Sequence, residues 1–435
     1  MLCQKRRLRR GGRPTLAAWL AEYAAIEDEF VREHEARGVT FAAREVRAAC
    51  NALLRAGLRR RGARFMNGGS SISAGFLSSA CAACVGDCGS RTFFVNLRCN
   101  RKCYFCFNPN QADYDERRVR DAPWREDLEA FAGDGRAVSH IGLTGGEPLL
   151  CRDEALAFLR RARELAPSCH LRLYTSGAGL DEAFCEEAVA YGLDEIRFSI
   201  KLDEGEASVR ESLDGIRLAR RFIPDVMVEM PVAPDELSRM KRLLRQLDEC
   251  GVRGINLLEL CYPFHNWSEF QRRGYRVKNP AFEVLYDYGY AGGLPIDGSE
   301  EACLALLEFA LDEGLRLGVH YCSLDNKNRD QVLQQNRTVR LDPALYELGD
   351  DCFYRIAKVF DGDVGIARGY LEAVGAAYDL DEDGRCLAFH PVRLAEVAAL
   401  GTLPALSWNV IEREDGGALL RELKLALRRG GERPR

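Results

Sequence analysis

Cys99, Cys103 and Cys106 stand at spacings of three and two residues in "CNRKCYFC", directly after the apolar run "TFFVNL". Three closely spaced thiolates on a loop can hold three corners of a [4Fe–4S] cube, because thiolate ligation is the usual way a protein binds such a cluster. The fourth iron is then left without a protein ligand. By the logic that separates open from closed zinc sites, an open position turns a structural centre into one that binds substrate. Arg101 and Lys102 lie inside the loop and are expected to help stabilise the charge of a thiolate-ligated cluster. Taken alone, the motif would also serve as part of a zinc site.

Cys81, Cys84 and Cys88 form a second group in "CAACVGDC", just ahead of the same apolar run. Three thiols within eight residues read as a metal site, and iron suits a chain already equipped for one cluster. A fourth ligand must come from a distance. Cys322 in "VHYCSLD" is the candidate because it follows the last strand-like run, with Cys261, just past "NLLEL", as the alternative. A structural zinc, or thiols that simply pack, would account for the same residues. Other cysteines, such as Cys151, Cys185 and Cys250, read as small buried apolar residues. The chain has 17 cysteines and shows no export signal; in a reducing compartment, clustered cysteines read as metal or catalytic sites.

The elements that must position these groups follow from periodicity. Residues 1–80 read as a helical extension: Leu16, Trp19, Leu20, Tyr23, Ile26 and Phe30 recur at helical spacing, as do Val46, Cys50, Leu53 and Leu54. Gly38 separates the two helices, Thr40 is the expected N-cap of the second, and "MNGGSSISAG" (66–75) reads as a flexible junction. Residues 81–90 are the cysteine-rich segment. From 91 to 322, seven short apolar runs (92–97, 140–145, 171–176, 195–200, 225–230, 254–260 and 315–321) alternate with helical stretches such as 152–166 and 240–251. Strand alternating with helix implies a parallel sheet, either a partial (β/α) barrel or an open sheet, with chemistry at the C-terminal ends of the strands. Residues 262–298 are too long for an ordinary connection and read as a lid or substrate loop. Residues 323–435 form a small α+β extension, with "SWNVIE" strand-like and "GALLRELKLALRRG" helical.

C-x3-C-x2-C with an aromatic, Phe105, before its last cysteine, after the first strand of such a pattern, resembles the radical S-adenosylmethionine (radical SAM) superfamily. The resemblance implies a partial (β/α)6-type barrel and an open iron chelated by the amino and carboxylate groups of SAM. It further implies an electron donor of flavodoxin or ferredoxin type, and cleavage of SAM to methionine and a 5′-deoxyadenosyl radical. Phe105 would lie near the adenine. "TGGEP" ends the second run where the family hydrogen-bonds the SAM amino group, which the resemblance carries to Thr144, Gly145, Gly146 and Glu147. Ser199 and Lys201 in "RFSIK" match ribose- and carboxylate-contacting positions. "TSG" (175–177) stands where related proteins show Thr-Asn-Gly, and Glu229 lies near the end of the fifth run. The upstream C-x2-C and the late "YCS" resemble, more finely, a branch described as related to pyruvate formate-lyase activating enzymes.

The net charge of −5 gives no global electrostatic case for nucleic acid binding, and the basic run at 5–13 reads as a solvated tail. No stretch of about 18 uninterrupted apolar residues is present, so no membrane span is expected and the chain reads as cytoplasmic. The expected activity is hydrogen abstraction from a peptide or protein, as a maturase or activase. The alternatives are a small metabolite or cofactor precursor as substrate, and a non-enzymatic metal-binding scaffold, which leaves Thr144–Pro148 unexplained. His265, His320 and His390 read as structural.

Overall fold

A computed structural model describes residues 15–289, 292–414 and 417–427. The basic run at 5–13 and residues 290 and 291 of the aromatic loop lie outside them. Helices α1 (Leu16–Glu35) and α2 (Ala48–Arg60) come first, followed by a hairpin of β1 (Arg64–Met66) and β2 (Ser71–Ala74). Seven strands then occupy the seven apolar runs: β3 (Ser90–Phe94), β4 (His140–Thr144), β5 (His170–Thr175), β6 (Glu195–Phe198), β7 (Asp225–Val232), β8 (Gly254–Glu259) and β9 (Gly318–Cys322). Helices α3 (Trp124–Ala132), α4 (Arg152–Leu165), α5 (Glu182–Ala190), α6 (Glu206–Ala219), α7 (Leu237–Glu249) and α8 (Ser299–Asp312) fill the six crossovers, and α9 (Leu324–Asn336) follows β9.

Each of these seven strands pairs in parallel with the next in sequence. The sheet therefore runs in one direction from β3 to β9, the strand order of a partial barrel. Period-2 alternation gives its faces different jobs. Ile141, Leu143, Leu171, Leu173, Ile196, Val228, Ile255 and Val319 are fully buried with the crossover helices. Arg172, Arg197, Glu229, Asn256 and His320 alternate with them and line the opposite face.

Three local expectations are corrected. Residues 66–75 are the turn and second strand of the β1–β2 hairpin, with β2 antiparallel to β9. The serines and glycines resemble a linker, yet Ser71, Ile72 and Ser73 are buried because a neighbouring strand satisfies their backbone. Thr40 does not cap α2, whose N-cap is Arg47; the Thr40 carbonyl instead accepts from Val277 N at 2.8 Å. Residues 417–427, rich in helix formers, are a strand. They close a six-stranded antiparallel sheet in which β10 (Tyr354–Phe360), β11 (Tyr378–Leu380), β12 (Cys386–Phe389), β13 (Ala405–Glu414) and β14 (Gly417–Leu427) lie in the order β11-β12-β10-β13-β14, and the short strand Glu347–Leu348 pairs with β10 off that path. Pairing along all of β13, and α1 laid across Leu425 and Leu427 through Trp19 and Tyr23, outweigh intrinsic propensity worth only tenths of a kcal/mol per residue.

An ion cluster ties α2 to the barrel. Arg55 Nη2 and Lys278 Nζ stand 2.7 and 3.3 Å from the Glu300 carboxylate on α8. Burial pushes that carboxyl up, but the two cations win and bring it down to about 2 from an ordinary 4.5. A depressed carboxyl contributes stability that is fully present above its unfolded value and is lost as pH falls from 4.5 toward 2. Glu300→Gln is therefore expected to lower stability by roughly 3 kcal/mol at neutral pH and to flatten the acid limb of urea unfolding. A parallel pH dependence in variant and parent would remove this assignment.

Candidate functional site

The three cysteines of the first motif lie on the loop that leaves β3, at the C-terminal end of the sheet. Cys99 is exposed, and Cys103 and Cys106 are half-buried. The loop is fastened to the turn after β4: Gly146 N donates to Asn96 O at 3.2 Å and Glu147 N to Arg98 O at 2.7 Å. From further along the loop, Asn108 Nδ2 donates to Gly145 O at 3.0 Å. A Cβ on Gly145 would lie 2.5 Å from Asn96 O, and one on Gly146 only 1.8 Å from Arg98 O. The paired glycines thus admit the cysteine loop itself, a reason that spacing alone did not reveal.

Glu147 is buried, and its carboxylate accepts from Thr175 Oγ1 (2.6 Å), Ser176 Oγ (2.6 Å), Ser176 N (2.7 Å) and Leu149 N (3.1 Å). "TGGEP" and "TSG" therefore form one locked unit joining the ends of β4 and β5. With its side chain committed in this way and its N–H given to Arg98 O, Glu147 has only its carbonyl left to offer a ligand.

From β6, Lys201 Nζ donates to Ser199 Oγ at 2.6 Å and stands 4.9 Å from the Phe105 ring centroid. Burial pushes the Cys99 and Cys106 thiols up; against it work the N–H of Arg101 at Cys99 (3.4 Å) and that of Asn108 at Cys106, and then the positive charge of Lys201 at both. The expectation for the Arg101 and Lys102 side chains is corrected accordingly, the Arg101 contribution being its backbone N–H. Arg101 pairs with Glu204 and with Glu211 at 3.5 Å, and Lys102 is exposed, whereas the Lys201 cation reaches the sulfurs. Lys201→Met is expected to slow iodoacetamide alkylation of Cys99 and Cys106 in the metal-free protein roughly threefold near pH 8. Equal rates would show that the charge does not reach them.

The segment after β8 packs down on the same loop. Asn266 Nδ2 donates to Tyr104 O at 2.9 Å, Phe270 meets Tyr104 at 5.2 Å between ring centroids, and Arg273 lies 4.1 Å over the Tyr104 ring. His265 Nδ1 stands 3.2 Å from Asn110 Oδ1 and 3.1 Å from Pro263 O.

The second cysteine group divides. Cys84 and Cys322 both take an N–H from Asn326 Nδ2, at 3.8 and 3.3 Å. Cys81 takes one from Asn256 Nδ2 at 3.1 Å and one from Arg197 Nη2 at 3.3 Å. Cys88 is elsewhere, donating to Gln334 Oε1 at 3.3 Å, and Cys261 donates to Gly292 O at 2.9 Å. Glu229 accepts from Arg197 Nη1 and Asn256 Nδ2, both at 2.7 Å, so it belongs with the second group. His320 bonds Asn256 Oδ1 (2.9 Å) and Ser71 Oγ (2.8 Å), and His390 Nδ1 accepts from Val392 N (3.2 Å).

Among the described residues, no three His, Cys, Asp or Glu side chains gather on a point that one bare ion could occupy. A cube distributes its thiolates one to each iron, and three cysteines on one loop near a cation are a donor set that suits it. Sequence reasoning missed Asn96, Asn108, Arg197, Asn256 and Asn326. For Arg197 and Asn256 the available signal was a polar residue in the middle of a strand-like run, as in "EIRFSI" and "GINLLEL".

Residues 94–247 match the Radical SAM superfamily. A protein of Methanocaldococcus jannaschii named as a glycyl-radical enzyme activating enzyme is 26% identical over 275 residues, covering 60% of this chain and 67% of that protein. The PqqA peptide cyclase of Methylobacterium nodulans is 31% identical over 123 residues, covering 28% of this chain but only 31% of the cyclase. Among solved structures, Streptococcus suis SuiB bound to its precursor peptide SuiA is 11% identical with a TM-score of 0.40, covering 67% of this chain and 56% of SuiB. No described helix is long and apolar enough to cross a membrane.

Proposed function

The chain belongs to the radical SAM superfamily and is an enzyme; from that premise we propose that it reductively cleaves SAM and abstracts hydrogen from a peptide or protein, as a maturase or activase. The observation that carries the reading is the interlock at one end of the sheet, where the cysteine loop lies across Gly145–Gly146 and Glu147 ties that turn to Thr175 and Ser176. Cys99, Cys103 and Cys106 would hold the cluster, and Thr144–Glu147, Phe105, Ser199 and Lys201 would orient SAM. When bound, the pair supplies one-electron cleavage of the sulfonium to methionine and a 5′-deoxyadenosyl radical. The residues of this chain fix where that happens. Two glycines set the height of the loop, and a buried carboxylate with four donors prevents the turn from shifting. Lys201 favours the thiolate forms, and Asn266, Phe270 and Arg273 hold the loop through Tyr104.

The peptide or protein substrate is supported by two relatives whose names describe an activating enzyme and a peptide cyclase. An electron donor of flavodoxin or ferredoxin type, the core boundaries at 91 and 322, and a second iron–sulfur centre belong to the same proposal. The test is anaerobic incubation of the reconstituted protein with SAM and dithionite, with 5′-deoxyadenosine read by chromatography. Formation that requires both reagents, and that a cellular peptide fraction stimulates more than dialysable metabolites do, is expected. No 5′-deoxyadenosine at all would overturn the reading, and stimulation by metabolites alone would overturn its peptide part.

A further inference from the structure

The second cysteine group was expected to use Cys88, yet the fold gathers a different set. We infer that Cys81, Cys84 and Cys322, without Cys88, hold the second iron–sulfur cluster, with Arg197 and Asn256 donating hydrogen bonds to the Cys81 sulfur. The inference rests on the proposed second centre and names its ligands.

Three observations support it. First, Cys84 and Cys322 come from segments more than two hundred residues apart but share one amide nitrogen. Their sulfurs therefore lie within about 7 Å of each other, the two bonds laid end to end. Although Cys84 is exposed as a residue, its thiol is turned onto buried Asn326.

Second, the polar atoms aimed at these sulfurs are almost all donors: Arg197 Nη2 and Asn256 Nδ2 on Cys81, and Asn326 Nδ2 on the other two. The exception, Ser323 O, stands 3.9 Å from Cys322. Neutral thiols call for acceptors, whereas thiolates, and the sulfurs of a cluster, call for N–H groups.

Third, the fold brings Cys81 to the same place. It lies three residues before Cys84, and its partner Asn256 pairs in register with His320, two residues before Cys322. Neither Cys88, bonded to Gln334, nor Cys261, bonded to Gly292 O, shares these partners. Three cysteines leave one iron to a ligand that is not cysteine.

The test starts from C99A/C103A/C106A, reconstituted anaerobically, with iron and sulfide counted and the visible and EPR spectra recorded. About four irons per chain are expected to remain. Adding Cys88→Ser should leave the count and spectra unchanged, whereas Cys81→Ser, Cys84→Ser or Cys322→Ser should each remove the iron. Circular dichroism checks that each variant is folded. Asn256→Ala, which keeps all three ligands, should shift the midpoint potential of the remaining cluster downward, because a donor to a cluster sulfur raises it. An iron-free starting variant, or iron that Cys88→Ser removes and Cys322→Ser spares, would overturn the ligand set. If the parent protein meanwhile still forms 5′-deoxyadenosine, the failure belongs to this inference and the radical SAM reading stands.

Discussion

Replacing Cys99 with alanine is expected to reduce 5′-deoxyadenosine formation to the level seen without protein. The reason lies in the count of ligands. A cube with one open iron already relies on three thiolates, and removing one leaves two irons without protein ligands, so the cluster is no longer held where SAM must meet it. Cys99 is exposed and donates no packing that the barrel needs, so in the metal-free state the variant should unfold at the same temperature as its parent. Turnover within about tenfold of the parent, equivalent to a barrier change of only ~1.4 kcal/mol, would show that catalysis does not pass through this loop.

Gly146→Ala should be nearly as damaging for a different reason. Its new Cβ would sit 1.8 Å from Arg98 O and 2.6 Å from Leu97 C, both backbone atoms that no side-chain rotation can move aside. The cysteine loop would have to lift, breaking the bonds from Gly146 N to Asn96 O and from Glu147 N to Arg98 O. Overpacking and two lost hydrogen bonds together amount to about 3 kcal/mol, visible as a lower thermal midpoint. Because a displacement of about 1 Å can cost a hundredfold in rate, 5′-deoxyadenosine formation should fall by at least about that factor. Gly365, in the helix Asp363–Ala373, would meet nothing within 4 Å and serves as the control. A Gly146→Ala protein with unchanged midpoint and rate would mean that the loop does not rest on this turn.

The elements that sequence reasoning located are those whose signal is local. Seven apolar runs and the helices between them are set by periods of two and 3.6 residues, and the seven parallel strands lie in those runs. The errors fall where distant pairing decides. "SISA" looks like a linker until β9 lies beside it, and residues 417–427 look helical until β13 and α1 cover them. Similarly, the loop's own arginine was the obvious counter-charge for the cysteines. The fold turns Arg101 toward Glu204 and supplies Lys201 from another strand instead.

By itself, the sequence determined which chemistry is available: three thiolates at fixed short spacings, a glycine pair followed by a glutamate, and a strand–helix alternation that places both at the same end of a sheet. These are properties of neighbouring residues and survive in an unfolded chain. Tertiary structure alone decided what each group faces. It set the cysteine loop on the two glycines, gave the Glu147 carboxylate four donors, and put Cys84 and Cys322 on one amide, Asn326, while turning Cys88 to Gln334. Contacts between residues hundreds of positions apart are fixed by the burial and pairing of whole elements, and no spacing within a motif encodes them.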